Sequence, residues 1–145
     1  MTYIATGRCF MRRLDAYESA LSVLSRAKDQ DLDNEFIQGG VIDKFSLQFE
    51  LGWKLLKDLL RYEGVARAAT GSPRDILKAA YRYFAFFDEQ VWLRMLADQN
   101  TTLHVYDANE ARRLVSVVVS EYVPAFKDLD QAIRDKYGSV LEDIA

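Results

Sequence analysis

Apolar residues recur every three or four positions over most of the chain, and this spacing predicts a protein built mainly of α-helices. The clearest stripe consists of Ile37, Val41, Phe45, Phe49, Trp53, Leu56 and Leu60. This stripe predicts a long helix that ends near Gly64, because glycine is a common C-terminal stop. We expect Trp53 and the phenylalanines of the stripe to lie in the core.

The neighbouring stripes predict further helices with recognisable starts and stops. One stripe predicts a helix over about residues 9–29, which the acidic stretch 29–34 ends. Residues 72–75 read Ser-Pro-Arg-Asp, an N-cap serine followed by a proline at the first helical position and an acid in the first turn. They predict the start of a short third helix, and Asp88 is predicted to cap a fourth.

The last third of the chain predicts a fifth helix with an irregularity. Asp107 is predicted to cap it, with Glu110 as the partner of a capping box. Pro124 is predicted to kink or interrupt it before the apolar stripe continues to Gly138. Long amphipathic helices with short connections favour antiparallel neighbours. We therefore predict an all-α protein, a single domain over residues 1–145, folded as a four- to five-helix antiparallel up-and-down bundle.

Composition narrows the range of functions. The chain has 145 residues with 19 Lys+Arg and 22 Asp+Glu, a net charge of −3, which argues against a general nucleic-acid binder. A single cysteine and a single histidine argue against a metal site built from thiolates or imidazoles. No apolar run approaches the ~20 residues of a membrane span, and no leader segment is evident. We expect a cytoplasmic protein without a membrane segment or a metal.

Polar residues before the fifth helix form the best candidate for a reactive site. His104 lies in the polar stretch 98–107, Asn100 precedes it by one helical turn, and Tyr106 and Asp107 follow. A lone histidine near a helix end is more often a surface or capping residue than a catalyst, so both interpretations stay open.

Two charged positions elsewhere have similar alternatives. Glu50 and Lys54 on the second helix form either a solvated face or one wall of a binding cleft. Arg74 lies at a helix N-terminus, where free N–H groups favour anions, and either belongs to the cap or binds a phosphate.

Five short segments, in this order, resemble the nucleotidyltransferase substrate-binding proteins. They are Gly40–Phe45, Phe49–Lys54, Ser72–Asp75, Trp92 with Met95, and Asn100-x-x-x-His104-x-Tyr106-Asp107. The resemblance covers about residues 10–135. That family comprises small helical subunits encoded beside minimal nucleotidyltransferases, similar to the wider HEPN class. It implies a homodimer that docks two nucleotidyltransferase chains into a heterotetramer. ATP or another nucleotide and Mg would then bind the partner, and no cofactor would bind this chain.

The HEPN class also contains toxins that cut RNA with an Arg-x4–6-His motif. By resemblance, His104 would be the acid or base, Asn100 would orient the reacting groups, and Tyr106 would accept AMP from the partner. The arginine position holds Gln99, which lacks the charge and the fork of a guanidinium. Arg94 lies five residues before Gln99. Five residues of a helix rotate by ~500°, which is ~140° beyond a full turn, so Arg94 points away from the face that carries Gln99.

Two functions follow from this resemblance. We favour a substrate-binding partner subunit with weak or no catalysis, and the alternative is an RNA-cleaving toxin silenced at Tyr106. A plain structural dimer is the third interpretation. Further apolar residues on the second helix favour a dimer, since one core face does not need them. They are Phe36, Ile42, Leu47, Leu51, Leu55 and Leu59.

Overall fold

The computed structural model describes residues 2–65, 71–102 and 107–144, and every regular element within these ranges is helical. Within these ranges, six α-helices, a 3₁₀ turn and a π turn follow one another. They are α1 (Thr2–Leu24), the 3₁₀ turn (Ser25–Asp29), α2 (Glu35–Tyr62), α3 (Pro73–Tyr83), α4 (Glu89–Thr102), α5 (Ala108–Val117), the π turn (Val118–Tyr122) and α6 (Val123–Ile144). The prediction of an all-α bundle is confirmed. Within the described ranges, no helix combines the length and apolar character needed to cross a membrane.

Side-chain caps fix most helix starts where the sequence predicted them. Ser72 and Asp75 form a reciprocal capping box at α3. The Asp88 carboxylate accepts a hydrogen bond from Gln90 N at the start of α4. Asp107 caps α5 through Asn109 N at 2.8 Å. The expected capping partner of Asp107, Glu110, instead contacts Arg113, so a simple cap replaces the predicted box.

Two predicted helix boundaries are wrong. The first helix begins at Thr2 rather than near residue 9, and its last predicted turn is 3₁₀. The last helix passes Gly138 and runs to Ile144. A glycine ends a helix when its backbone turns left-handed, which Gly64 does with φ +80° and Gly138 does not.

A π turn accommodates Pro124 without a break. Proline lacks an N–H, and its ring collides with the carbonyl four residues earlier in a regular helix. In the turn Val118–Tyr122 the helix widens, and Val123 N donates to Val118 O. Helix α5, the π turn and α6 therefore form one continuous helix, where the sequence predicted a kink or an interruption.

Tyr17 links three helices inside the core. Its hydroxyl donates to Phe126 O on α6 at 2.7 Å, and its own carbonyl accepts from Gln48 Nε2 on α2 at 3.0 Å. All three residues are buried. Buried polar groups must be paired, and these bonds fix the register of α1 against α2 and α6.

Helix α2 lies close to α4 and α1 at Gly52. A Cβ built at this position would lie 2.6 Å from the Trp92 ring on α4 and 3.3 Å from the Tyr17 ring on α1. Trp92 is only 2% exposed, so its ring has little room to retreat. The absence of a side chain at position 52 therefore sets the spacing between α2 and α4.

We predict that Gly52→Ala lowers the free energy of unfolding by about 1–2 kcal/mol. Overpacking a core costs about 1–3 kcal/mol, and the better helix propensity of alanine offsets only part of this. The control is Gly39→Ala on the same helix, where the added Cβ has no atom within 4 Å apart from the adjacent residues and the nearby backbone of its own helix. For Gly39→Ala we expect the free energy of unfolding to rise by up to about 1 kcal/mol, because alanine favours the helix more than glycine does. Urea unfolding measures both, and equal effects of the two variants would contradict the close approach.

Two carboxyl groups and one guanidinium meet between α1 and α6. Arg134 Nε donates to Glu18 at 3.0 Å, and its Nη2 makes a second contact with that carboxylate. Burial, followed by the adjacent Glu18, raises the pKa of Asp130 to about 7. Burial alone would raise the pKa of Glu18, but hydrogen bonds from Arg134 and Asp130 lower it.

We predict that Asp130→Asn removes a pH dependence of stability. An unfolded aspartate titrates near a pKa of about 3.9, so between about pH 4 and 7 the native state binds the extra proton and wild-type stability falls as pH rises. Above about pH 7 the aspartate is ionised in both states, so stability no longer changes with pH through this group. Asp130→Asn abolishes this decline, whereas the same change at the exposed neighbour, Asp128→Asn, retains it. Thermal unfolding across pH measures the difference, and parallel curves for both variants would contradict the raised pKa.

Candidate functional site

A cluster of polar side chains joins the outer part of α2 to the C-terminal part of α4. Gln99 Nε2 donates to Glu50 Oε1 at 2.9 Å and lies 3.5 Å from Ser46 Oγ. Lys54 Nζ lies 3.5 Å from Glu50 Oε2, and Trp53 Nε1 donates to the same oxygen at 3.2 Å. We call Ser46, Glu50, Trp53, Lys54 and Gln99 the Glu50–Gln99 cluster. It unites Gln99 with the pair Glu50 and Lys54, which the sequence had singled out on different grounds.

Trp53 belongs to this cluster rather than to the deep core, which corrects the sequence-based expectation. Its side chain is only half-buried, and the indole N–H has Glu50 as its acceptor. The ammonium of Lys54 lies 5.8 Å from the centre of the ring. An indole with one apolar face and one polar edge is suited to a surface where a ligand or a protein binds.

Asp98 anchors the part of α4 that carries Gln99. Its carboxylate accepts from Arg113 Nη2 on α5 at 3.0 Å and from the Tyr122 hydroxyl in the π turn. Burial, followed by this bond to Asp98, raises the pKa of Tyr122 well above its ordinary value. Two donors from different elements therefore fix the residue next to Gln99.

The remaining predicted site residues have different positions. Asn100 is exposed on the last turns of α4, and Asp107 is exposed and caps α5. His104 and Tyr106 lie outside the residues that the structure describes. Arg74 is exposed in the first turn of α3, and in the described ranges no hydrogen bond or ion pair joins it to Glu50, Lys54 or Gln99. The structure thus does not bring Arg74 into the cluster.

Arg94 does not replace the missing arginine. Its guanidinium pairs with Glu121 at 3.0 Å, on a different side of α4 from Gln99. This agrees with the rotation of ~140° expected for residues five apart on a helix.

The chemistry of the cluster favours binding over phosphate cleavage. Glu50 places a negative charge beside the side chain of Gln99. An enzyme that cleaves RNA with the Arg-x4–6-His motif would instead have an arginine at this position, with its guanidinium against the phosphate. The carboxylate, ammonium and amide groups together suit a polar ligand or a protein surface. The described residues contain no group of three or more His, Cys, Asp or Glu side chains placed to hold a metal ion.

The family model described as "nucleotidyltransferase substrate binding protein like" matches residues 12–135. The chain belongs to this family, and the family membership expected from its five short segments is confirmed. No curated protein matches the chain.

Sequence reasoning missed Ser46 and Asp98. Ser46 precedes Glu50 by one helical turn, so its spacing indicated a shared face. Asp98 gave no such signal, because its partners Arg113 and Tyr122 lie 15 and 24 residues away along the chain.

We predict that Tyr122→Phe destabilises the end of α4. The change removes one donor from a carboxylate whose side chain is only 17% exposed. A hydrogen bond to a charged group contributes about 1.5–3 kcal/mol. Hydrogen exchange of amides 96–102 should accelerate together with a lower unfolding temperature. The control is Tyr83→Phe, which removes an exposed bond to Glu63 and should leave both measurements unchanged. Unchanged exchange in Tyr122→Phe would contradict the anchoring role of Asp98.

Proposed function

We propose that this chain is the substrate-binding subunit of a two-component nucleotidyltransferase. The family match over residues 12–135 is the observation that carries the proposal. The catalytic subunit is a separate minimal nucleotidyltransferase, which binds ATP or another nucleotide together with Mg, and this chain supplies no cofactor. We place the pair in the cytoplasm, where ATP is present.

The Glu50–Gln99 cluster is the part of the surface that we assign to this role. It combines a half-buried indole, an exposed ammonium and an amide, so it offers apolar area together with donors of fixed direction. His104, Asn100 and Tyr106 follow Gln99 closely in the chain, and we include them in the proposed surface.

The chain acts as a homodimer in this proposal, with two catalytic subunits completing a heterotetramer. Of the six apolar residues that favoured a dimer, Leu55 and Leu59 belong to the protein's own core. Phe36 is 81% exposed and Leu47 is 53% exposed on the outer face of α2. Exposed apolar residues along one helix face support a subunit interface there.

Sedimentation of the chain, alone and with the minimal nucleotidyltransferase that this proposal requires as its partner, tests this assembly. We expect a dimer at tens of micromolar and a two-plus-two complex in the mixture. Leu47→Glu should shift the chain to monomer, and Lys54→Glu should weaken only the binding of the partner. Lys28→Glu is the control, because it adds the same charge on the exposed 3₁₀ turn.

The results separate this proposal from the toxin alternative. If the two chains fail to associate at micromolar concentrations, the partner role is wrong. If expression of this chain alone arrests growth and His104→Ala relieves the arrest, RNA cleavage silenced by AMP at Tyr106 becomes the better account. The contact between Glu50 and Gln99 argues against that outcome, since a carboxylate at this place repels a phosphate.

A further inference from the structure

Helix α3 carries a row of cations on its outer face. Arg74, Lys78 and Arg82 follow one another at intervals of four residues, so they lie on one side of the helix about 6 Å apart along its axis. Ile76, Leu77 and Ala80 are buried on the opposite side. Arg74 and Arg82 are exposed and Lys78 is half-buried.

The cation row has no ionic partners within the described ranges. None of the ion pairs in those ranges involves Arg74, Lys78 or Arg82, whereas Arg13, Arg94, Arg113 and Arg134 are all paired with acids. The nearest acid on α3 is Asp75, whose carboxylate is held by Ser72 in the capping box. A face with charges of one sign is notable in a chain with a net charge of −3.

Tyr81 and a groove flank the cation row on its two sides. Tyr81 follows Lys78 by three residues, so it lies beside the row, and its side chain is 56% exposed. On the other side, Lys78, Arg82 and Tyr83 line a groove of about 490 Å³, which Asp75 also borders. An exposed ring beside a line of cations is the combination that single-stranded nucleic acids bind, with bases on the ring and phosphates on the cations.

We propose that the outer face of α3 binds single-stranded nucleic acid. The cation row holds three phosphates of the strand, and Tyr81 stacks with a base. This site is separate from the Glu50–Gln99 cluster and does not depend on the role assigned to that cluster. Because the whole chain is acidic, attraction of the strand must come from this local row rather than from the overall charge.

Fluorescence anisotropy with a labelled RNA of about 12 nucleotides tests the site over a range of NaCl concentrations. Three phosphate contacts on a single strand predict a slope of about −2 for log affinity against log salt concentration, since each contributes about −0.7. Lys78→Gln with Arg82→Gln should bring the slope to about −0.7 and lower the affinity about 25-fold at about 0.1 M salt. Tyr81→Ala should weaken binding about tenfold without changing the slope.

The matched control is Arg112→Gln with Lys127→Gln, which removes two exposed cations from α5 and α6 and changes the net charge equally. Circular dichroism and the unfolding temperature verify that each variant is folded. The proposal is supported if the control keeps the wild-type slope and affinity. It is overturned if no saturable binding occurs at about 50 mM salt, or if both double variants lose affinity equally. It is also overturned if polyglutamate displaces the RNA as well as unlabelled RNA does, because the row would then recognise an acidic protein.

Discussion

The close approach of α2 and α4 at Gly52 is the constraint on which the rest of the structure depends. The Trp92 ring lies where a side chain at position 52 would be, and Phe49 also packs against that ring. The two helices run antiparallel from this contact, so a part of α4 about two turns beyond Trp92 faces the middle of α2. Gln99 reaches Glu50 because the helices are this close. An apolar contact in the core thus determines a polar contact at the surface.

The polar side of α4 combines stability with a defined surface. Asp98 joins α4 to α5 and to the π turn, while its neighbour Gln99 joins α4 to α2. These bonds hold the last turns of α4 from two directions. A surface held in this way suits the partner-binding role proposed for this chain.

Some features of this fold could be predicted from the sequence because they are local. The apolar stripe of α2, the capping box at Ser72 and the stop at Gly64 each depend on residues within a few positions of one another. The backbone at Pro124, in contrast, could not be predicted from local sequence. A proline signals an irregular backbone, but whether the helix breaks or widens into a π turn depends on the packing of Tyr122 and Val118 in the core.

By itself, the sequence determined the helical class, the family and the absence of an arginine at position 99. These properties depend on residue identity and short-range spacing. Only the tertiary structure decided that Glu50 is a partner of Gln99 and that Trp53 also contacts Glu50. Contacts between residues some 49 positions apart depend on how two helices cross. The way in which α2 and α4 cross depends on the close packing of Gly52 against Trp92. The spacing of apolar residues within one helix does not predict such a contact between two helices.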